Sequence, residues 1–493
     1  MPGEAPERFY IIFSDSVVAH FIAYSFLFAN FAIVVKFTAV KFDKMKFYDR
    51  KEQLKTLREM RELSYEGYSR LTVVTGRRRI GKTTLVKEAF SDEPYVYLFV
   101  GRKSESVLCG EFCEEYQEKT GGFIPPMSAF RDVFRFLMEE GKRRKYTLVF
   151  DEFQNFLEIN PSIYSDIQNL WDKCQKESHV NMVVSGSVYS LMEKLFKDRK
   201  EPLYGRQDST IKLQAFPTSI LKQIMEDNAP GYSNDDLLAL YTFTGGIPKY
   251  VELFIDMKAT TCEKMISKIC KEDSPLIEEG RKLLIQEFGK KYATYFSILQ
   301  AISLGYNTQA SIEDYLGGKS LGGQLLKLED TYDLIRKVRP IWAKPKTQTV
   351  RYEISDIFLR FWFRYVEKNQ RLVEIGQYLA LRKIMEDDYE TYSGDVLERY
   401  FKLKFVESME YRDIGGWWDP KGYIDKEGNH QQAELDIVAL RLKENTIDVI
   451  EVKRNPEKFN KALLEEKVAF FSSKEKQAGK YRIMLSSLSM DDM

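Results

Sequence analysis

Between residues 71 and 216 short apolar runs alternate with amphipathic stretches. The runs LTVVT (71–75), YVYLFV (95–100), YTLVFD (146–151), NMVVSG (181–186) and STIKLQAF (209–216) have the length and content of strands. Strands that alternate with helices predict an α/β core with a mainly parallel sheet over residues 45–216. Residues 217–289 read as mostly helical, broken by GGIP at 245–248, and form a lid beside the sheet. In 290–354 three short helical patterns (YATYFSILQAI, SIEDYLG, GGQLLKLEDT) precede two strand-like runs, LIRKVRP and TVRYEI. That order is the layout of a winged helix. A helical connector that never meets DNA is an equal reading. Residues 355–392 open on SDIFLRFWFRYV, a helix aromatic enough to be interdomain core. A last α/β unit fills 393–493.

Composition narrows the picture. A chain of 493 residues requires several domains. Lys+Arg and Asp+Glu both number 74, so nucleic-acid binding has to come from a local patch rather than from the whole molecule. Five scattered cysteines without a CxxC pair, and three histidines, argue against zinc and for a reduced, cytoplasmic setting. Residues 17–35 (VVAHFIAYSFLFANFAIVV) carry no Asp, Glu, Lys or Arg, about the length of a membrane span. The stretch 1–44 is either a membrane anchor, with lysines 36, 41, 44 and 46 on the cytoplasmic side, or the product of a start placed too early. In the second case Met45 is the natural beginning, and membrane association is not expected.

The chemistry concentrates after the first strand. Residues Gly76, Arg77, Arg78, Arg79, Ile80, Gly81, Lys82, Thr83 and Thr84 fit GxxxxGK[ST], preceded by an apolar strand and followed by a helix-forming run. The glycines let backbone N–H groups curl round phosphates at a helix amino terminus. Lys82 is placed for the terminal phosphates of ATP and Thr83 for Mg²⁺. Asp151, at the end of a buried strand, is expected to hold Mg²⁺, and Glu152 to polarise the attacking water. Ser185 and Ser187 suit a sensor of the γ-phosphate. Arg206 is a candidate cation for transition-state charge, in cis or across the boundary of a homo-oligomer. Arg77, Arg78 and Arg79 can reach phosphate or acidic lid residues.

In chain order FYDRKEQL, TGRRRIGKTTL, VFDEFQ, SGS, PLYGR and GGIPKY resemble the archaeal-type ATPases of the AAA+/STAND-related group over roughly residues 46–350. The resemblance implies a P-loop ASCE ATPase core, a helical lid and a winged helix.

The tail reads AELDIVALRLKENTIDVIEVKR, with Glu398 upstream in GDVLERYF. Alternation puts Glu434 and Asp436 on one strand face, and Glu451 and Lys453 on one face of the next. A hairpin turning at Lys443-Glu444 pairs Asp436 with Glu451, and like charges placed opposite cost stability unless a cation lies between them. An ordinary charged hairpin is the plain alternative. The arrangement resembles the PD-(D/E)xK nuclease superfamily, a restriction-endonuclease-like α/β fold. By that resemblance Glu398, Asp436 and Glu451 would hold Mg²⁺ and Lys453 would orient water or steady the phosphate. Leu435 stands where proline often precedes the acid, and the superfamily also contains domains that bind without cutting. The sequence therefore predicts an ATP-hydrolysing switch or motor, acting on DNA through the winged helix and tail. The competing expectation is a signalling or defence ATPase with an inert interaction module as its tail.

Overall fold

In the computed structural model, residues 45–289, 292–344, 347, 349–425 and 427–493 are described, and Phe47–Met493 form one compact unit. The apolar stretch 17–35 lies outside the described residues, among which no helix is long and apolar enough to cross a membrane.

The core begins with helix α1 (Lys51–Glu66), which packs on β1 (Arg70–Thr75) and on α2 (Lys82–Ala89). There follow β2 (Val96–Phe99), α3 (Glu105–Thr120), α4 (Phe130–Arg143), β3 (Tyr146–Asp151), α5 (Ile163–Cys174), β4 (Val180–Ser185), α6 (Tyr189–Lys197) and β5 (Ser209–Lys212). The five strands lie in the order β2-β3-β4-β1-β5, every neighbouring pair parallel. All six residues of β3 and of β4 are buried, the pattern of strands covered by helices on both faces. The last predicted run ends early: only Ser209–Lys212 pair with β1, and the chain then leaves the sheet.

The helices α7 (Thr218–Asn228), α8 (Asn234–Thr244), α9 (Pro248–Asp256), α10 (Cys262–Ile269) and α11 (Pro275–Phe288) make up the predicted helical stretch. Its GGIP turn is fastened to the chain that follows β5. Gly246 has φ +73°, and a Cβ there would lie 2.7 Å from the Phe216 carbonyl oxygen, so only glycine fits. Pro248 then opens α9 at its first turn, where a missing N–H costs nothing.

Next come α12 (Tyr292–Ser303), α13 (Gln309–Tyr315), α14 (Gly322–Leu326) and the antiparallel hairpin β6 (Ile335–Val338) with β7 (Arg351–Ile354). Helix α15 (Ile357–Phe361) continues through a wide turn at Trp362–Glu367 and buries Phe358, Phe361, Trp362, Phe363 and Tyr365. The expected boundary between 392 and 393 falls inside a single helix, α16 (Tyr378–Ser408), which touches α7, α8 and α10 on one side and β8, β9 and β10 on the other. The tail sheet holds β8 (Tyr411–Ile424), β9 (His430–Arg441) and β10 (Thr446–Val452), then β11 (Arg482–Leu488) after helix α17 (Lys461–Lys474). Its order is β11-β10-β9-β8, antiparallel except for the β10–β11 pair.

Helix α11 approaches the aromatic α15 closely at Gly280, where an added Cβ would lie 2.2 Å from the Trp362 ring, whose Nε1 donates to the Ile277 carbonyl at 2.7 Å. Gly280→Ala therefore overpacks this seam. We expect it to lower stability by about 1–3 kcal/mol, read as an earlier urea or thermal unfolding transition.

Candidate functional site

The phosphate loop leaves the carboxyl end of β1 and closes on the amino end of α2. Gly76 has φ +144° and lies so near the Leu213 carbonyl that a Cβ would approach it to 2.9 Å. Gly81, at φ +90°, caps α2. Ile80 is buried under the loop, while Thr84 faces outward. Lys82 is 7% exposed and its Nζ donates to the carbonyls of Gly76 (2.8 Å) and Arg77 (3.0 Å). Burial brings its ammonium down to about 8, against the pull of Glu152, Asp151 and Glu287.

Although β4 lies between β1 and β3, the ends of these strands meet: Thr83 Oγ1 donates to Asp151 Oδ2 at 2.9 Å. Asp151 also accepts from the Ser185 and Tyr97 hydroxyls and from the Glu152 amide. Burial pushes its carboxyl up, but these donors outweigh it and hold the group below the usual carboxylate range. Glu152 adopts φ +56°, a left-handed conformation that a non-glycine residue takes at some cost. Its Oε2 accepts from Ser187 Oγ and Gln154 Nε2, both at 2.6 Å. The two serines expected to sense phosphate thus orient the two acids. Tyr97 and Gln154 belong to the same constellation; Gln154 closes the VFDEFQ motif, whereas no motif names Tyr97.

The three loop arginines, open to two readings from sequence, reach into distant parts of the chain. Arg77 donates to Asp356 at 2.7 Å and to the Asp333 carbonyl. Arg78 meets Gln286, and Arg79 grips both oxygens of Glu279, which also accepts from the Tyr250 hydroxyl at 3.0 Å. Their side chains are committed to α11 and to the segments flanking the β6–β7 hairpin, so in this arrangement the loop presents backbone rather than guanidinium to a phosphate.

Arg206 is a correction as a cation in cis. It precedes β5, whose opening residues lie beside the start of β1, where Asp208 accepts from the Leu71 amide. A six-residue strand spans about 20 Å, which separates Arg206 from the phosphate loop at the other end of β1. Both of its terminal arms are engaged, in a two-point pair with Asp172 and with the Pro202 carbonyl.

In the tail the register of β9 and β10 runs from Ile447–Leu440 to Ile450–Ile437, and its next step puts Glu451 opposite Asp436. Asp436 Oδ2 accepts from the Val452 amide at 2.9 Å. Lys453 Nζ lies 2.7 Å from Glu451 and 3.7 Å from Asp436. Lys467 approaches Glu451 at 3.3 Å, and Lys402 binds Glu398. Burial, then Glu398, then Glu451 push the Asp436 carboxyl up to about 6. Among the described residues no group of three or more His, Cys, Asp or Glu side chains is arranged to hold a metal ion as it stands. The five cysteines are free, and burial pushes the Cys109 thiol up to about 12, so none is a reactive thiolate.

Residues 47–254 match the family described as an ATPase domain predominantly from Archaea. That segment is similar to an archaeal-type ATPase domain. Residues 362–464 match a family of archaeal and bacterial proteins of unknown function. Over 420 residues the chain is 28% identical to an uncharacterized protein of Methanocaldococcus jannaschii, covering 83% of this chain and 87% of that one. A second uncharacterized protein of that organism is 31% identical over 67 residues, 14% of this chain and 65% of its own. Among solved structures, the Walker-type ATPase of Pyrococcus abyssi superposes with a TM-score of 0.51 at 20% identity, covering 66% of this chain and 99% of that chain, a likeness of fold.

Glu287, unremarkable in sequence, closes the site from α11. Its Oε2 is sealed without a hydrogen-bond partner, and burial raises its carboxyl to about 7 despite Arg77, the Tyr189 backbone and Lys82. Between about pH 4.5 and 7 the folded state keeps a proton that the unfolded chain has released, so stability falls as pH rises through that window and then levels off. Glu287→Gln should remove this slope: near-equal melting at pH 5, and stability higher by about 1–3 kcal/mol at pH 8, measured by thermal unfolding across pH.

Proposed function

We propose that the protein is an ATP-hydrolysing switch associated with DNA, whose tail is a metal-dependent nuclease domain. The observation that carries the first half is the Thr83–Asp151 hydrogen bond, formed beside buried Lys82. A lysine, a hydroxyl and an ionised carboxylate meet at the mouth of a helix amino terminus, the set that a nucleoside triphosphate and a hard cation require. Loop amides and Lys82 bind the phosphates. Thr83 and Asp151 are the residues that would hold Mg²⁺, their oxygen donors and the lowered Asp151 carboxyl fitting that ion. The ion, when bound, supplies charge neutralisation at the β- and γ-phosphates. Glu152, held by Ser187 and Gln154, orients and polarises the attacking water.

Two features support the DNA-directed part: three helices followed by an antiparallel hairpin, the layout of a winged helix, and the tail's order of helix, three strands, helix and parallel strand around Glu398, Asp436, Glu451 and Lys453. Burial first, then repulsion from Glu398 and Glu451, raises Asp436, and the repulsion is what a divalent cation would relieve. One observation favours the second reading, a signalling or defence ATPase with an inert tail. Lys453 and Lys467 already neutralise Glu451, so the cluster is charge-satisfied by protein alone.

Lys82→Ala should abolish nucleotide uptake in calorimetry, whereas Glu152→Gln should keep it and slow ATP turnover by about 10²–10⁴-fold. Unchanged turnover would remove Glu152 from its role. With Mg²⁺ or Mn²⁺ the intact protein should cut DNA, and Asp436→Ala or Lys453→Ala should stop it. Absence of cutting on single-stranded, duplex and branched DNA would decide for the inert tail.

A further inference from the structure

Away from the phosphate loop, the β6–β7 hairpin, helix α16 and the β8–β9 edge of the tail sheet enclose a cavity of about 660 Å³. That is within the ~300–1,000 Å³ range of small-ligand sites. Eight basic and five acidic side chains line it, so it carries an excess of positive charge that the chain as a whole does not have. Several of these cations already have carboxylate partners: Arg351 pairs with Glu434 at 2.6 Å, Arg399 with Glu353 at 2.7 Å and Arg364 with Asp388 at 2.7 Å. Arg339 and Arg360 each keep a buried Nε without a hydrogen-bond partner, although Tyr392, Glu353 and Asp395 lie near enough to Arg360 to favour its charge. Burial and the neighbouring Arg399 both hold the Arg360 guanidinium below its usual value. A buried guanidinium whose donors are not all satisfied is costly, so an entering anion would be stabilised here.

The acids are not spread at random in this wall. Glu398 and Asp436, two of the three carboxylates of the tail cluster, line the same cavity. At about 660 Å³ the space is of small-ligand size, which suits the end of one strand rather than a length of duplex. A terminal phosphate carries about −1.5 to −2 charge near neutral pH, against one for a phosphodiester, and so matches two arginines whose donors are not all satisfied.

We infer that this cavity binds the phosphorylated end of a single DNA strand, with the terminal phosphate on Arg339 and Arg360 and the next linkage directed toward Glu398 and Asp436. The inference rests on the nuclease-like reading of the tail and names what that tail takes. Small phosphorylated compounds share the recognised chemistry and are separated by the test.

Binding of labelled single-stranded oligonucleotides, followed by fluorescence anisotropy in EDTA, compares ends carrying a 5′-phosphate, a 3′-phosphate or only hydroxyls. One phosphorylated end should bind at least about tenfold tighter than the hydroxyl end, and Arg360→Gln should erase the difference. Arg339→Gln, on the hairpin side rather than in the aromatic helix, should do the same and keeps the test decisive should the first variant fail to fold. Equal affinity for all ends, or a preference that survives both substitutions, would overturn the inference. So would a mononucleotide that binds at Arg339 while strands do not, which would make the cavity a small-ligand site. An end preference in a protein that cuts nothing would leave the cavity assignment standing and sink the nuclease reading. Cutting without an end preference would do the reverse.

Discussion

Two ion pairs decide how this molecule is held together: Arg77 with Asp356, and Arg79 with Glu279. The carboxylates are 3% and 5% exposed, so each needs its guanidinium. Removing one partner of a buried pair leaves an uncompensated charge and costs about 3–5 kcal/mol. Both arginines belong to the phosphate loop, and Asp356 also caps α15 by accepting from the Leu359 amide at 3.0 Å. The loop that would hold a triphosphate is therefore wired to the start of the aromatic helix and to α11. The Lys249 amide adds a backbone contact to the Arg79 carbonyl at 3.3 Å. A change in loop conformation cannot stay local without exposing buried acid.

This wiring explains what could be read in the sequence and what could not. The phosphate loop, the acid pair after β3 and the β9–β10 register were legible because each depends on neighbours within one turn or hairpin. The periodicity of a strand and the stereochemistry of glycine are local properties. Arg77 and Asp356 stand 279 positions apart, and nothing in either segment announces the other. Arg206 shows the converse: an arginine beside a glycine turn looks available in cis, yet within the chain it pairs with Asp172, on α5. The 392/393 boundary falls within a helix for a third reason. The aromatic and charged residues of α16 serve two different neighbours, so its pattern changes midway while its backbone does not.

The two acidic clusters are handled in contrasting ways. Asp151 gathers neutral hydroxyl and amide donors, which stabilise its charge without cancelling it, and so leave a net negative group facing the loop. The Asp436–Glu451 pair instead sits among ammonium groups from β10 and α17, and Asp436 is pushed toward its neutral form. The first arrangement would suit a cation without rearranging its charges. In the second a cation has to compete with lysines already in place.

Helix α16 spans 31 residues without interruption, about 46 Å of straight rod. Its carboxyl-terminal end is tied to α7, where Glu407 accepts from both the backbone and the hydroxyl of Thr218, and Glu398 and Arg399 on it line the basic cavity. Such a rod transmits angle better than distance. A tilt of roughly 5° about one tip would sweep the other by about 4 Å, more than the length of a hydrogen bond. Small adjustments around the nucleotide would thus arrive in the tail as the making or breaking of whole contacts.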